Sequence, residues 1–326
     1  MESVLSVQRP AIDLRLDVNE IYHGRSEELM LRIPNESIAL SFWSPPYFVG
    51  KEYEKEATYE SWQTMLKRVI QLHANALRPG GFLVINIADI MAFADPEIPR
   101  YQALNKQQQR ITVTRESILQ AKEQNPGINR DQLAKLLGCS EQTIDRRLNG
   151  NNIRGGKHSV QSRYMLVGGP LEEYAYEVGL YLYDKRIWKK DPAWANSKWT
   201  TSTLKSVSET EDLYIFWKPG QYEVNRERLS PREWKEWGYR QIWEIASVRK
   251  NDDHEAKFPL ALATRVIRLY TDEGDTVLDP FMGSGTTAVS AVLNKRNYLG
   301  FEKEEKYVAL ARKNVSQALE QLRLDL

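Results

Sequence analysis

The sequence predicts a doubly wound, mostly parallel α/β sheet with a helical module inserted into it. Three observations predict this. Residues 17–87 run strand, strand, helix, turn, strand. Residues 258–322 run helix, strand, glycine loop, helix, strand, helix. Near Met91 the apolar pattern breaks and a polar, basic segment follows.

The elements follow in order. Residues 17–24 and Ser37–Trp43 are short apolar strands, and Tyr59–Leu77 repeats its apolar residues at helical spacing. Arg78-Pro79-Gly80-Gly81 reads as a turn before the buried strand Phe82–Ile87. In the insert, Thr114–Asn125 reads as a helix. Asn129 is placed to cap Arg130–Leu137, and Ser140 to cap Glu141–Leu148 after the turn Gly138-Cys139-Ser140. Helix, short glycine-containing turn and helix is the helix-turn-helix plan, at about 129–150, although a plain helical hairpin has the same pattern. The sheet resumes with Tyr176–Trp188 and Asp212–Lys218. The last third gives a helix at Phe258–Tyr270, a strand at Thr276–Asp279, a helix at Thr287–Leu293, a strand at Asn297–Glu302 and a helix at Lys306–Leu322. The division expected is a body of 1–94 and 166–326 with an inserted module of 95–165.

Net charge is only +1, so the whole chain does not advertise a polyanionic partner. Its distribution does. Arg100–Arg163 holds 12 Lys and Arg against 5 Asp and Glu, a local balance of +7 set into a remainder of −6. A basic module on an acidic body suits contact with phosphates; a solvated polar insert is the plainer reading. Seven of the nine tryptophans fall within 188–243 (Trp188, Trp194, Trp199, Trp217, Trp234, Trp237, Trp243), where stacking on extruded bases competes with ordinary packing. The single cysteine, Cys139, excludes an internal disulfide framework and a multi-cysteine metal site, and no metal is expected. No apolar run is long enough to span a bilayer and the N-terminus lacks a signal-peptide pattern, so no membrane partner and a cytoplasmic location are expected.

Two short motifs carry chemistry. In Asp279-Pro280-Phe281-Met282-Gly283-Ser284-Gly285-Thr286-Thr287 a strand ends in an acid and turns through two glycines into a helix. Without a Cβ, such a loop brings backbone close to a ligand. The next strand ends in Glu302, whose carboxylate can accept two hydrogen bonds from a ribose diol. That much would suit a dinucleotide, but the spacing is not G-x-G-x-x-G. The second motif, Ser44-Pro45-Pro46-Tyr47, follows an apolar strand. Its prolines fix φ and stiffen a loop that presents a hydroxyl, a backbone carbonyl and an aromatic ring, a set suited to a flat base bearing an amine; alone it is also an ordinary proline turn.

Together the two motifs resemble those of the amino-methylating DNA methyltransferases. Their order, catalytic motif first and cofactor motif last, resembles the β group. The likeness extends over roughly 17–90 and 172–320, including Leu213–Pro219, Trp243-Glu244-Ile245 and the His254–Pro259 segment. It departs at Arg25, where the family often has Asp, and at Trp43, where it often has a small polar residue. The resemblance implies S-adenosyl-L-methionine held by Asp279, Pro280, Phe281, Gly283, Ser284, Gly285, Thr286 and Glu302, with Lys257 near the cofactor carboxylate and Phe258 lining its pocket. It implies that Ser44 and the Pro45 carbonyl accept hydrogens of the target amine, that Pro46 stiffens the loop and that Tyr47 stacks on a flipped base. Serine at the first position is typical of members acting on cytosine N4, aspartate of those acting on adenine N6. Carbon-5 methylation is disfavoured because it needs a thiolate, and Cys139 lies in the helix-turn-helix.

The expected partner is double-stranded DNA, met by Gln142, Thr143, Arg146, Arg147, Arg154 and Lys157. A cognate restriction endonuclease is a candidate partner, and the chain is expected as a monomer or homodimer. The rivals are an adenine-N6 enzyme, an RNA methyltransferase and a DNA-binding regulator that only senses the cofactor.

Overall fold

The computed structural model describes residues 15–47, 58–95, 97–98, 113–149, 162–192, 206–222, 224–248 and 258–324. In chain order the elements are β1 (Glu20–His23), α1 (Ser26–Leu29), β2 (Ile38–Trp43), α2 (Tyr59–Ala76), β3 (Leu77–Ile87), β4 (Ile90–Ala94), α3 (Arg115–Gln124), α4 (Arg130–Leu136), α5 (Glu141–Asn149) and β5 (Ser162–Met165). There follow α6 (Gly168–Tyr176), β6 (Tyr181–Lys189), β7 (Thr210–Trp217), α7 (Pro231–Glu233), β8 (Ile242–Glu244), α8 (Leu260–Tyr270), β9 (Thr276–Asp279), α9 (Thr286–Leu293), β10 (Asn297–Glu302) and α10 (Glu305–Leu324).

Eight strands form one sheet in the order β1-β10-β9-β2-β3-β7-β6-β8. β1, β10, β9, β2 and β3 are mutually parallel, β7 is antiparallel to β3 and to β6, and β8 runs parallel to β6. Helices cover both faces of the parallel part: α1, α2 and α6 pack together, and α8, α9 and α10 pack together. A strand covered on both sides must be apolar throughout, and all six residues of β2 are buried. Phe42, Val84, Ile215, Val266, Val277 and Ala288 meet in its core. This is the predicted doubly wound sheet.

Local chemistry sets the boundaries. Thr58 caps α2 through a reciprocal pair with Ser61. Thr114 and Ser117 do the same for α3, and Asn129 and Gln132 for α4. Two readings need correction. The Arg78–Gly81 turn lies inside β3, as an irregularity where Ile38 pairs with Leu77 but Leu40 with Phe82. Tyr176–Trp188 is not one strand. Tyr176 ends α6, and the chain turns at Gly179 before β6. The tryptophans of the 188–243 stretch are packing residues where they are described: Trp188, Trp237 and Trp243 are buried, and Trp217 and Trp234 pack against the same core. Trp194 and Trp199 lie outside the described residues.

The chain divides into two compact units, one of Met1–Ile90, Met165–Pro192 and Glu209–Leu326, the other of Met91–Tyr164 and Ala193–Ser208. In the second unit, α3, α4 and α5 enclose a small core of their own, with Ile118, Leu133 and Ile144 almost fully buried. Arg130 ties α4 to α5, donating to Glu141 at 2.5 Å and to Asp145 at 2.8 Å. β4 pairs with β5 in a separate two-stranded sheet. Among the described residues no helix is long and apolar enough to cross a membrane.

Candidate active site

β9 leads through α9 to β10, and β2 leads the other way through α2 to β3. β2 and β9 are neighbours, with Leu40 opposite Val277 and Ser41 opposite Leu278. The loops after these two strands therefore open where the winding reverses. In parallel sheets, ligands bind at such points, beyond the carboxyl ends of the strands.

The loop after β9 is closed on itself by Asp279. One carboxylate oxygen accepts from the Phe281 amide at 2.9 Å, and the other from the Thr287 hydroxyl at 2.6 Å. Gly283 and Gly285 have φ of 52° and 89°, the left-handed region that glycine enters without strain. Glu302, at the end of β10, accepts from the Gly283 amide at 2.8 Å with one oxygen and from the Glu304 amide at 2.9 Å with the other. Two amides thus fix its plane, while each oxygen keeps a lone pair on a partly exposed side chain. The set fits a nucleoside with a free ribose diol. Phe281 meets Trp43 edge-on with ring centres 5.2 Å apart, and Phe258 packs on Phe42 at 5.0 Å. Both rings are only partly buried, at the ends of β9 and β2. Ser284 is buried and its carbonyl accepts from Asn314; the Pro280 carbonyl accepts from Ser26; Thr286 begins α9.

The loop after β2 is held from beneath. Ser44 Oγ lies 2.9 Å from the Asn86 carbonyl and 3.0 Å from the Tyr47 hydroxyl, both as acceptors of its one proton. Tyr47 in turn donates to Glu211 Oε2 at 2.7 Å, and Asn86 Nδ2 donates to the same oxygen at 2.7 Å. Lys190 pairs with the other oxygen of Glu211. The Trp62 indole donates to the Pro46 carbonyl at 2.6 Å, so the first turn of α2 anchors the prolines. A hydroxyl that donates inward keeps its lone pairs for a donor arriving from outside.

Ser44, Pro45, Pro46 and Tyr47 therefore lie together at the end of β2, beside the strand that ends in Asp279. Lys257, Arg154 and Lys157 lie outside the described residues. Gln142 is exposed on α5, while Thr143, Arg146 and Arg147 are partly exposed; the Thr143 hydroxyl lies 3.0 Å from that of Ser140. Sequence reasoning missed Asn86, Glu211, Lys190 and Trp62. Only Asn86 left a signal, as the one polar residue in the apolar run Phe82–Ile87.

Two buried groups make opposite pH dependences. Burial, with Glu302 adding to it, pushes the Asp279 carboxyl up to about 7. The folded chain then holds more protons than the unfolded one between about pH 4 and 7, so stability falls as pH rises through that window. Burial lowers His73 to about 4, giving the opposite slope between about pH 4 and 6.5. Comparing a variant with the wild type isolates Asp279. Asp279→Asn should melt higher than the wild type without cofactor at pH 8, by several degrees, with the gap closing at pH 4. Thermal melts across that range check it; a constant offset would mean that the carboxylate does not titrate in place.

Comparison with known proteins gives one result at three levels. A model of the DNA methylase family of the N6/N4 type matches residues 38–313. The type II methyltransferase M.BglI of Bacillus subtilis is 59% identical over 300 residues, covering 92% of this chain and 86% of the other. M.Cfr9I of Citrobacter freundii, also a type II methyltransferase, is 27% identical over 324 residues, with 95% and 92% covered. Among solved structures, TTHA0409 of Thermus thermophilus, in complex with S-adenosyl-L-methionine, superimposes with a TM-score of 0.58 at 25% identity, covering 92% and 93%. The cytosine-N4-specific PvuII DNA methyltransferase does so at 0.57 and 16% identity, covering 94% and 92%, a likeness of fold.

Proposed function

We propose a target base and a reaction geometry from one premise: this chain belongs to the N6/N4 DNA methylase family and is an S-adenosylmethionine-dependent DNA methyltransferase. The reading is transfer of a methyl group to the exocyclic N4 amine of a cytosine flipped out of duplex DNA. When bound, the cofactor supplies an electrophilic methyl on a sulfonium sulfur.

The loop after β9 fits that cofactor. Glu302, with its plane fixed by two amides, would hold the ribose diol, and the Asp279–Thr286 loop would enclose the methionine end. Phe258 and Phe281 would line the apolar part of the pocket, and Lys257 would meet the carboxylate.

The observation that carries the catalytic reading is the inward donation of Ser44. An exocyclic amine is a weak nucleophile because its lone pair is delocalised into the ring. Acceptors on its hydrogens draw the nitrogen toward tetrahedral geometry and turn the lone pair toward the methyl. The free lone pairs of Ser44 and the carbonyl of Pro45 are such acceptors. The Tyr47 ring offers a stacking surface for the extruded base. Serine rather than aspartate at position 44 favours cytosine on the family pattern.

The division of labour proposed is catalysis by 1–94 and 166–326 and target recognition by 95–165. The three-helix core of the insert and its excess of basic residues support this. α5 would then be the recognition helix, presenting Gln142, Thr143, Arg146 and Arg147, with Arg154 and Lys157 beyond it. The type II relatives support a role in restriction-modification beside a cognate nuclease.

The test is methylation of unmodified genomic DNA by purified protein with S-adenosylmethionine, followed by nucleoside mass spectrometry. N4-methylcytosine is the expected product. N6-methyladenine would overturn the base and keep the mechanism; a protein that binds cofactor but leaves all such DNA unmodified would point to a regulator.

A further inference from the structure

The reaction leaves a proton to be disposed of, and the structure holds an unbroken path for it. We propose that Glu211 is the proton acceptor of the methyl transfer, reached from the target amine through Ser44 and Tyr47. The proposal rests on the reading of Ser44 and Tyr47 given above and applies to either base.

The path is short and directional. Ser44 Oγ lies 3.0 Å from the Tyr47 hydroxyl, which donates to Glu211 Oε2 at 2.7 Å. Both are hydrogen-bonding distances for hydroxyl donors. Glu211 is 8% exposed, on β7, across the sheet from the loop's own strand. A carboxylate buried there without partners would be costly. Lys190, just after β6, pairs with its second oxygen, and Asn86 of β3 donates to the first. The groups facing Glu211 are therefore the Lys190 ammonium, the Tyr47 phenol and the Asn86 amide. Asn86 Oδ1 is itself buried and, among the described residues, has no hydrogen-bond partner. The amide is thus turned with its donor toward Glu211 and leaves its acceptor unsatisfied. That orientation directs a buried N–H at Glu211 while the amide's own carbonyl goes unpaired.

The step balances. The amine nitrogen forms the new carbon–nitrogen bond with its lone pair, while the methyl–sulfur pair returns to sulfur. The nitrogen then carries two hydrogens and a positive charge. One of these protons passes to Ser44 Oγ, the Ser44 proton to the Tyr47 oxygen, and the Tyr47 proton to Glu211. The base ends neutral and methylated, both hydroxyls are restored and Glu211 is a carboxylic acid. It returns its proton to solvent before the next turnover.

The test uses the full chain and unmodified genomic DNA under single-turnover conditions, enzyme in excess, with labelled S-adenosylmethionine. Glu211→Gln keeps an acceptor for Tyr47 and Asn86 but cannot take up the proton. It should slow methyl transfer about 10- to 100-fold, leave cofactor affinity within about twofold and remove the acid limb of the pH–rate profile. Glu211→Asp should recover part of the rate and the limb. Because Glu211→Gln leaves Lys190 without its counter-charge, Tyr47→Phe serves as a second break: the ring stays, the path is cut, and the double variant should be no slower than the slower single one. Wild-type rate and pH profile in Glu211→Gln, or additive losses in the double variant, would overturn the relay. Ser44→Ala separates the two failures. If it is inactive while Glu211→Gln is normal, the relay alone falls; if it transfers at the wild-type rate, the catalytic reading falls with it.

Discussion

Ser44→Ala should lower the single-turnover rate of methyl transfer by about 10²- to 10³-fold, the loss expected when one oriented hydrogen-bonding group is taken from a transition state. Cofactor affinity should stay within about threefold. The reason is spatial. Ser44 belongs to the loop after β2, with hydrogen bonds to Asn86 and Tyr47, whereas the loop after β9 is closed by Asp279, Thr287 and Glu302 with no contribution from Ser44. Removing the hydroxyl leaves the Pro46–Trp62 anchor in place, so the loop should keep its course. Rapid-quench transfer beside equilibrium binding of the cofactor checks the division. Cofactor affinity falling as steeply as the rate would show that the two loops act as one site.

What could be read from the sequence followed from period and composition. β2, β3, β9 and β10 are apolar runs because parallel strands are covered on both faces. The glycine loop stood out because its residues are adjacent in the chain. Other features depend on partners far apart. α6 starts with Gly168-Gly169-Pro170, which reads as a loop on propensity. It becomes a helix because Leu171 and Ala175 bury, and because Gly168 sits so close to Tyr214 that a Cβ there would lie 2.2 Å from its hydroxyl. The support beneath the loop after β2 was equally hidden. Glu211 is one of several acids in Glu209–Asp212, and only β7 pairing brings it to Tyr47, 164 positions away, and to Asn86, 125 positions away. The proposed catalytic groups were legible as a tetrapeptide; the residues that hold them were not.

Gly285→Ala should be the most damaging single change in the proposed cofactor loop. Gly285 caps α9 with φ of 89°, where a side chain costs about 1–2 kcal/mol. Space adds to the conformational cost. A Cβ there would lie 3.0 Å from the Ala311 Cα and 3.2 Å from its carbonyl oxygen, both on the backbone of α10, which cannot rotate aside as a side chain would. Either α10 moves or the loop does. The loop is the weaker element: its shape rests on Asp279 and Glu302, and Gly283, two residues earlier, donates the amide that fixes the Glu302 carboxylate. Displacing Gly285 should therefore disturb the proposed ribose contact as well as the helix start. The expected result is at least about 100-fold weaker cofactor binding, equivalent to about 2.7 kcal/mol, with a melting temperature lower by several degrees and no change in the helical signature of the isolated fold. Calorimetric binding and thermal melts on one preparation test this. Wild-type affinity in a variant that melts lower would mean that α10 gives way and that the loop's shape is set without it.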